Sequence, residues 1–210
     1  MPDSDTLIRF IITTFLLELT PGPNMAFLIT LAAVQGRAAG LSMVAGIALG
    51  LGLIGLAAAF GLATIAAREP LLMQGLTLAG VAYLVWLAWE AWRDADAGDE
   101  AGAQALRPPG VWFGRGLIVN LLNPQAAVFY LTVLPAAIGP QASADARSLG
   151  PVLLLTAVAV AIATGVHLAL ALLAGTIHGL MADRARLALA RRGMALAVLA
   201  VAVWFGVTAL

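Results

Sequence analysis

Residues 7–30 read LIRFIITTFLLELTPGPNMAFLIT. The run is apolar over enough length to cross a bilayer, which takes ~20 residues as a helix. Yet its middle holds Thr20-Pro21-Gly22-Pro23-Asn24. Two prolines remove two backbone donors and clash with the preceding turn, so a helix here breaks or bends. In lipid such a break survives only where protein or a water-filled cavity satisfies the freed groups. One turn earlier stands Glu18, the single acidic residue deep in an apolar run. A charged side chain at such a depth costs at least ~2.5–3.5 kcal/mol, so it is expected to face a cavity.

The remainder of the chain is of the same kind. Of 210 residues, 62% are hydrophobic and only 10% charged, against ~45–50% and ~25% in soluble domains. This excludes an ordinary soluble enzyme and a disordered chain. Six apolar runs follow one another: Leu7–Thr30, Leu41–Ala67, Leu71–Trp92, Gly116–Ala137, Leu149–Ile177 and Met194–Leu210, the last beginning as early as Ala188. Their apolarity is continuous, which favours helices over the alternating strands of a barrel. The leader Met1–Thr6 carries Asp3 and Asp5 and no basic cluster, so the first run reads as a span and not as a secretory signal. The expected fold is all-α: one polytopic domain, residues 1–210, with six transmembrane helices in two three-helix halves (about 1–93 and 115–210). The joining stretch 94–114, rich in acidic, Gly, Ala and Pro residues, reads as an aqueous loop.

Arginine placement orients the spans. Arg37, Arg93, Arg107, Arg115, Arg184, Arg186, Arg191 and Arg192 fall on one side, and Arg9, Arg68 and Arg147 on the other. The eight-Arg side is expected in the cytoplasm, with both termini outside and the chain in the cytoplasmic membrane. The cluster Asp183–Arg192 reads as an orientation anchor, with anionic headgroups as an alternative ligand.

The fourth run repeats the break of the first. It carries Asn120 and Asn123-Pro124, and a shift of 103 positions lays Thr20-Pro21 on Asn123-Pro124 and Gly36 on Gly139. Three helices per half place the halves in opposite orientation. That inverted-repeat pattern puts a substrate site where discontinuous helices meet near the midplane. The competing reading is a pair of ordinary proline kinks; two breaks at matching positions, each beside Asn, favour the site. A half-helix N-terminus attracts a carboxylate, and freed carbonyls accept from an ammonium, which suits an amino acid. The candidate substrate residues are Thr20, Pro21, Gly22, Pro23, Asn24, Asn120, Asn123 and Pro124. Glu18 and His167, the latter two-thirds along the fifth run, are the candidates for proton coupling. Each has a structural alternative as a hydrogen-bonded group between helices.

These motifs resemble the LysE/RhtB-type amino-acid exporters, the homoserine/threonine/leucine efflux proteins. The resemblance rests on Thr20-Pro21-Gly22-Pro23-Asn24, on Gly80-Val-Ala-Tyr83-Leu84-Val-Trp86-Leu87 with Trp92-Arg93, and on Val119-Asn120-Leu-Leu-Asn123-Pro124-Gln125 through Leu134-Pro135, in family order along nearly the whole chain. It implies export of a small, neutral amino acid or derivative, driven by protons. Gln125 stands where the family often has Lys, and the fifth run, with Thr164 and His167, lacks the acidic residue frequent there.

Other features have plainer readings. Gly46-xxx-Gly50 lets helix backbones approach closely. Tyr83, Trp86, Trp89 and Trp92 form an interfacial belt, with a substrate-lining role as the minor alternative for Tyr83. Glu90 and Arg93, three apart at a helix end, are expected to pair. There is no Lys, hence no P-loop lysine for ATP-driven pumping. There is no Cys, and there are only two His, so no metal centre, cofactor or catalytic residue is expected. The implied partners are the amino-acid substrate, protons and the lipid bilayer, with a homo-oligomer allowed and nucleic acid excluded. A membrane enzyme or scaffold, or an exporter of another small zwitterion or cation, remains the alternative.

Overall fold

The computed structural model describes residues 3–20, 22–60, 70–96, 108–138, 149–178 and 184–209. Within them the chain forms helices and no strand: α1 (Ser4–Glu18), α2 (Pro23–Gln35), α3 (Arg37–Ala59), α4 (Pro70–Asp96), α5 (Pro109–Leu121), α6 (Pro124–Ile138), α7 (Leu149–Ala174) and α8 (Arg184–Ala209).

Proline sets four of the starts. Pro23, Pro70, Pro109 and Pro124 each open a helix, where the missing N–H has no partner to lose and φ is already helical. Gly22 and Pro108, the residues before two of these prolines, are extended (ψ 174° and 145°), as the proline ring requires. At α1 the start is made by Asp3, whose Oδ1 accepts from the Thr6 amide at 2.7 Å. That bond holds the Asp3 carboxyl below its ordinary value of 3.8. This cap is therefore complete above pH 3.8 and is lost as pH falls through the lower folded value.

Among the described residues three helices are long and apolar enough to cross a membrane (Arg37–Ala59, Gln74–Arg93 and Leu149–Ala174), and α5 with α6, bent by 54° at their break, is apolar enough to do so as a pair, either as one broken span or as a re-entrant turn. Several apolar helices of spanning length are the build of a multi-pass integral membrane protein. The first run is not one helix. It is α1 and α2, of 15 and 13 residues, separated at Leu19–Gly22.

Two boundaries differ from the sequence reading. The aqueous connection was expected over 94–114, but α4 continues to Asp96 and α5 begins at Pro109. Residues 97–107 lie outside the described residues, as do Gly139 and Pro21. Likewise α8 starts at Arg184, so the basic cluster is the first turns of a helix and not a loop. Ala, Leu and Arg are strong helix formers, and hydropathy alone ends a helix too early when its first turns are charged.

The tightest packing is between α3 and α5. A Cβ at Gly46 would lie 2.1 Å from the Phe113 carbonyl oxygen, and one at Gly116 would lie 2.3 Å from the Met43 carbonyl oxygen. The two backbones touch, and only glycine fits at either face. Gly46 thus packs as its spacing foretold. Gly52 in the same helix meets nothing within 4 Å. Gly52→Ala is therefore expected to leave stability unchanged or raise it, by up to ~1 kcal/mol of helix propensity, as measured by thermal unfolding in detergent. Gly36 joins α2 to α3 at φ 88°, a left-handed conformation that makes the tight corner possible.

The packing partners recur in pairs. As α3 packs on α5, α7 packs on α1; as α2 packs on α3, α7 and α8, so α6 packs on α7, α3 and α4. α3–α7 and α4–α8 pair directly. The core runs between them through Leu28, Leu31, Met43, Ile47, Leu155 and Tyr130. On the outside, Phe15, Leu53, Trp89, Leu173 and Val207 are exposed, an apolar exterior suited to lipid.

Candidate functional site

The two breaks are built alike and meet. In the first, α1 ends at Glu18 and the chain tightens, with the Thr20 amide donating to the Leu17 carbonyl at 3.0 Å. In the second, α5 ends at Leu121 and the Asn123 amide donates to the Asn120 carbonyl, also at 3.0 Å. Glu18 and Leu121, Leu17 and Asn120, and Thr20 and Asn123 are each 103 positions apart. The restarts differ: α2 begins at Pro23 and α6 at Pro124. The first break is thus longer by two residues, and Pro23, not Pro21, is the counterpart of Pro124.

Side chains tie the breaks together. Asn24, in the first turn of α2, donates from Nδ2 to Oδ1 of Asn120 at 2.8 Å, both residues buried. Gly22 leaves room for Gln125: a Cβ there would stand 2.5 Å from Gln125 Oε1. Gly50 of α3 does the same for Asn120, whose Nδ2 would be 2.8 Å from a Cβ.

Between them lies a cavity of about 240 Å³. Its polar lining includes Glu18, Thr20, Asn24, Asn123, Gln125 and His167; Gly22 and Asn120 also face it, with Phe129, Tyr130 and Ala159 on the apolar side. The structure therefore gathers Glu18, Thr20, Gly22, Asn24, Asn120, Asn123 and His167 from four helices and both breaks. Pro23 and Pro124 open the half-helices at its edge, and Pro21 falls outside the described residues.

The local chemistry is unequal on the two sides. Oδ1 of Asn123 accepts from the Gln125 amide at 3.1 Å, so α6 carries its own cap and one oxygen of Asn123 is committed to structure. α2 has Gly22 at the same place and no side-chain cap. Its N-terminus keeps its positive end open to an anion. On the opposite side, Oε2 of Glu18 lies 4.0 Å from Nδ1 of the buried His167. That is longer than a hydrogen bond but close enough for a strong interaction between charges where water is scarce.

Asn24 Oδ1, Asn120 Nδ2, Tyr130 Oη and His167 Nδ1 are buried with no hydrogen-bond partner. An unsatisfied buried polar atom costs about 1–3 kcal/mol. These four stand on residues lining one cavity, which makes that cavity the candidate site. Tyr130 was missed in the sequence, although it is one of only two Tyr in the chain and sits inside an apolar run. Gln125 was seen as a departure from a family pattern and not as the contact between the breaks. Tyr83 stacks on Trp86 at 5.5 Å and borders only a minor void with Asn24 and Asn123.

Asn24→Ala is expected to lower stability by about 1–2 kcal/mol, by stranding Asn120 in a dry setting. Unfolding midpoints of Asn24→Ala, Asn120→Ala and the double variant measure it, with a double-variant loss well below the sum of the singles.

Two broken helices that meet at a polar cavity are an arrangement in which many secondary transporters form a substrate site. Residues 15–209 match the LysE type translocator family, and the chain belongs to that family. It is 34% identical over 132 residues to the homoserine/homoserine lactone efflux protein of Salmonella typhimurium (63% of this chain, 64% of the relative). It is 30% identical over 131 residues to the cysteine/O-acetylserine efflux protein of Salmonella choleraesuis (62% and 65%). An uncharacterized membrane protein of Escherichia coli, YahN, is 31% identical over 144 residues (68% and 63%). The chain thus spans less than two thirds of the length of these relatives. No solved structure matches it.

Proposed function

We propose that this chain is a secondary transporter that exports a small, neutral amino acid or derivative from the cytoplasm by proton antiport. The observation that carries this reading is the cavity where both breaks meet, lined by Glu18 and adjoining the uncapped N-terminus of α2. The substrate carboxylate sits at the start of α2, near Asn24, and its ammonium faces Glu18. The names of the relatives, efflux proteins for homoserine and for cysteine or O-acetylserine, agree with a substrate of this size. A cavity of about 240 Å³ accommodates such a molecule.

The fold underlying this reading is two inverted repeats, about 1–93 and 115–210, giving six spans with α1–α2 and α5–α6 as the broken ones. Support comes from the 103-residue register of the two break bonds and from the paired packing described above. In this arrangement the Arg-rich end faces the cytoplasm, both termini face outward, and the protein resides in the cytoplasmic membrane. Single cysteines in this naturally cysteine-free chain test it. Asp96→Cys and Leu149→Cys are expected to react with an impermeant thiol reagent from opposite faces, and reaction of both from one face would overturn the topology.

The function is tested by uptake of labelled amino acids into everted vesicles, with and without a proton gradient. Accumulation of at least one small neutral amino acid, dependent on the gradient, is the expected result. The absence of accumulation across the panel would sink the reading.

A further inference from the structure

At the Arg-rich end, the helices that leave the cavity close on one another. α2 arrives with Phe27 and Gln35, α4 with Leu87, Glu90 and Ala91, α5 with Trp112 and Arg115, and α8 with Arg191 and Met194. The void they surround is about 10 Å³, no more than a single water needs. Between it and the cavity the core is solid, with Leu28, Leu31 and Met43 fully buried. The opposite end is looser. α1 buries only Phe10 and Thr14, and Val128 and Thr132, which line the cavity, are exposed. The structure is shut at one end and loosely covered at the other.

Glu90 sits in the shut end, with Oε2 2.5 Å from Arg115 Nη2 and both side chains largely buried. The Arg115 guanidinium lies over two indoles, 4.8 Å from Trp112 and 5.6 Å from Trp86. The partner expected for Glu90 was Arg93; that residue instead lies 4.7 Å over Trp89. The ion pair joins α4 to α5, which otherwise touch little, whereas α4–α8 and α3–α5 are the two most extensive packings in the chain. It therefore ties α4 directly to α5 across the end that is shut, beside α2, which packs on both α3 and α8.

We propose that the Glu90–Arg115 pair, held between Trp86 and Trp112, is the latch that closes the Arg-rich end of the path, and that it opens when the cavity turns toward that side. This rests on the transport reading above, since a latch needs a path to close. Neutralising either partner removes a largely buried charged contact between α4 and α5. The closed state loses stability, and the population shifts toward the state in which both groups reach water.

The test uses two reporter cysteines in the full-length chain in vesicles, with no substrate present. Leu28→Cys lies one turn beyond Asn24 toward the Arg-rich end, and Thr132→Cys lies on the loosely covered side. With Glu90→Gln or Arg115→Gln, labelling of Leu28→Cys from the Arg-rich face should rise about tenfold, and labelling of Thr132→Cys from the other face should fall. The exchange Glu90→Arg with Arg115→Glu should return both rates to about twofold of the starting values. Unchanged rates overturn the latch, and so does a rise at both reporters, which signals a loosened fold. Glu90→Asp retracts the charge by one methylene and serves where Glu90→Gln does not reach the membrane. A rise of about threefold is expected, and none counts against the latch. A chain that moves no amino acid is detected by the vesicle uptake assay, whereas a latch located elsewhere is detected here.

Discussion

Glu18→Gln is expected to reduce gradient-driven export to below about a tenth of the unmodified rate while the protein still folds and inserts. Gln keeps the shape of the side chain and most of its hydrogen bonding but holds no proton to exchange and no charge for an ammonium. Glu18 is the one acidic residue among the described residues lining the cavity, and His167, 4.0 Å away, is the one imidazole there. Under antiport the proton and the substrate amine compete for the carboxylate, and differential affinity in the two access states couples their movements. Exchange of labelled for unlabelled substrate without a gradient should survive in part, because the helix terminus and the two asparagines remain. Flux with and without the gradient, measured on the same vesicles, separates the two. Export by Glu18→Gln at the full gradient-driven rate would show the carboxyl to be structural and move the role to His167.

Replacing Gly46 or Gly116 by Leu is expected to produce the largest loss of stability in the chain, about 3 kcal/mol or more. At both places a Cβ would come within 2.3 Å or less of a carbonyl oxygen on the facing helix. Backbone, unlike the end of a side chain, does not step aside, so α3 and α5 must separate. That seam also carries Gly50 against Asn120, so its opening drags Asn120 out of the cavity wall. Yield of folded protein in detergent and its thermal midpoint measure the effect. Midpoints unchanged from the unmodified chain would mean that α3 and α5 do not meet as described.

Much of the site was legible because proline acts locally. Pro23 and Pro124 cannot continue a helix that lacks their N–H, and each restarts one, so sequence alone located both breaks. The 103-residue spacing then implied that they face each other. What stayed hidden was long-range or depended on charge at helix ends. Tyr130 lies six residues into α6, where an apolar helix gives no sign of which face turns to the cavity. The Glu90 partner came from another helix, 25 positions away, and not from the next turn. The start of α8 was misplaced because hydropathy reports lipid contact, whereas this helix begins in charged residues suited to water; that of α5 was misplaced because Gly110, Gly114 and Arg115 interrupt the apolar run.

The unequal capping of the two half-helices has a stereochemical consequence. Asn123 fills the N-terminus of α6 with its own oxygen, while that of α2 stands open. Of the two half-helix N-termini, only that of α2 therefore offers an uncapped address for a carboxylate. In the proposed reading the ammonium goes to Glu18, and the remaining substituent meets apolar lining such as Phe129 and Ala159. Three different attachments around one tetrahedral carbon fix its handedness, so one enantiomer of the substrate should outcompete its mirror image for export.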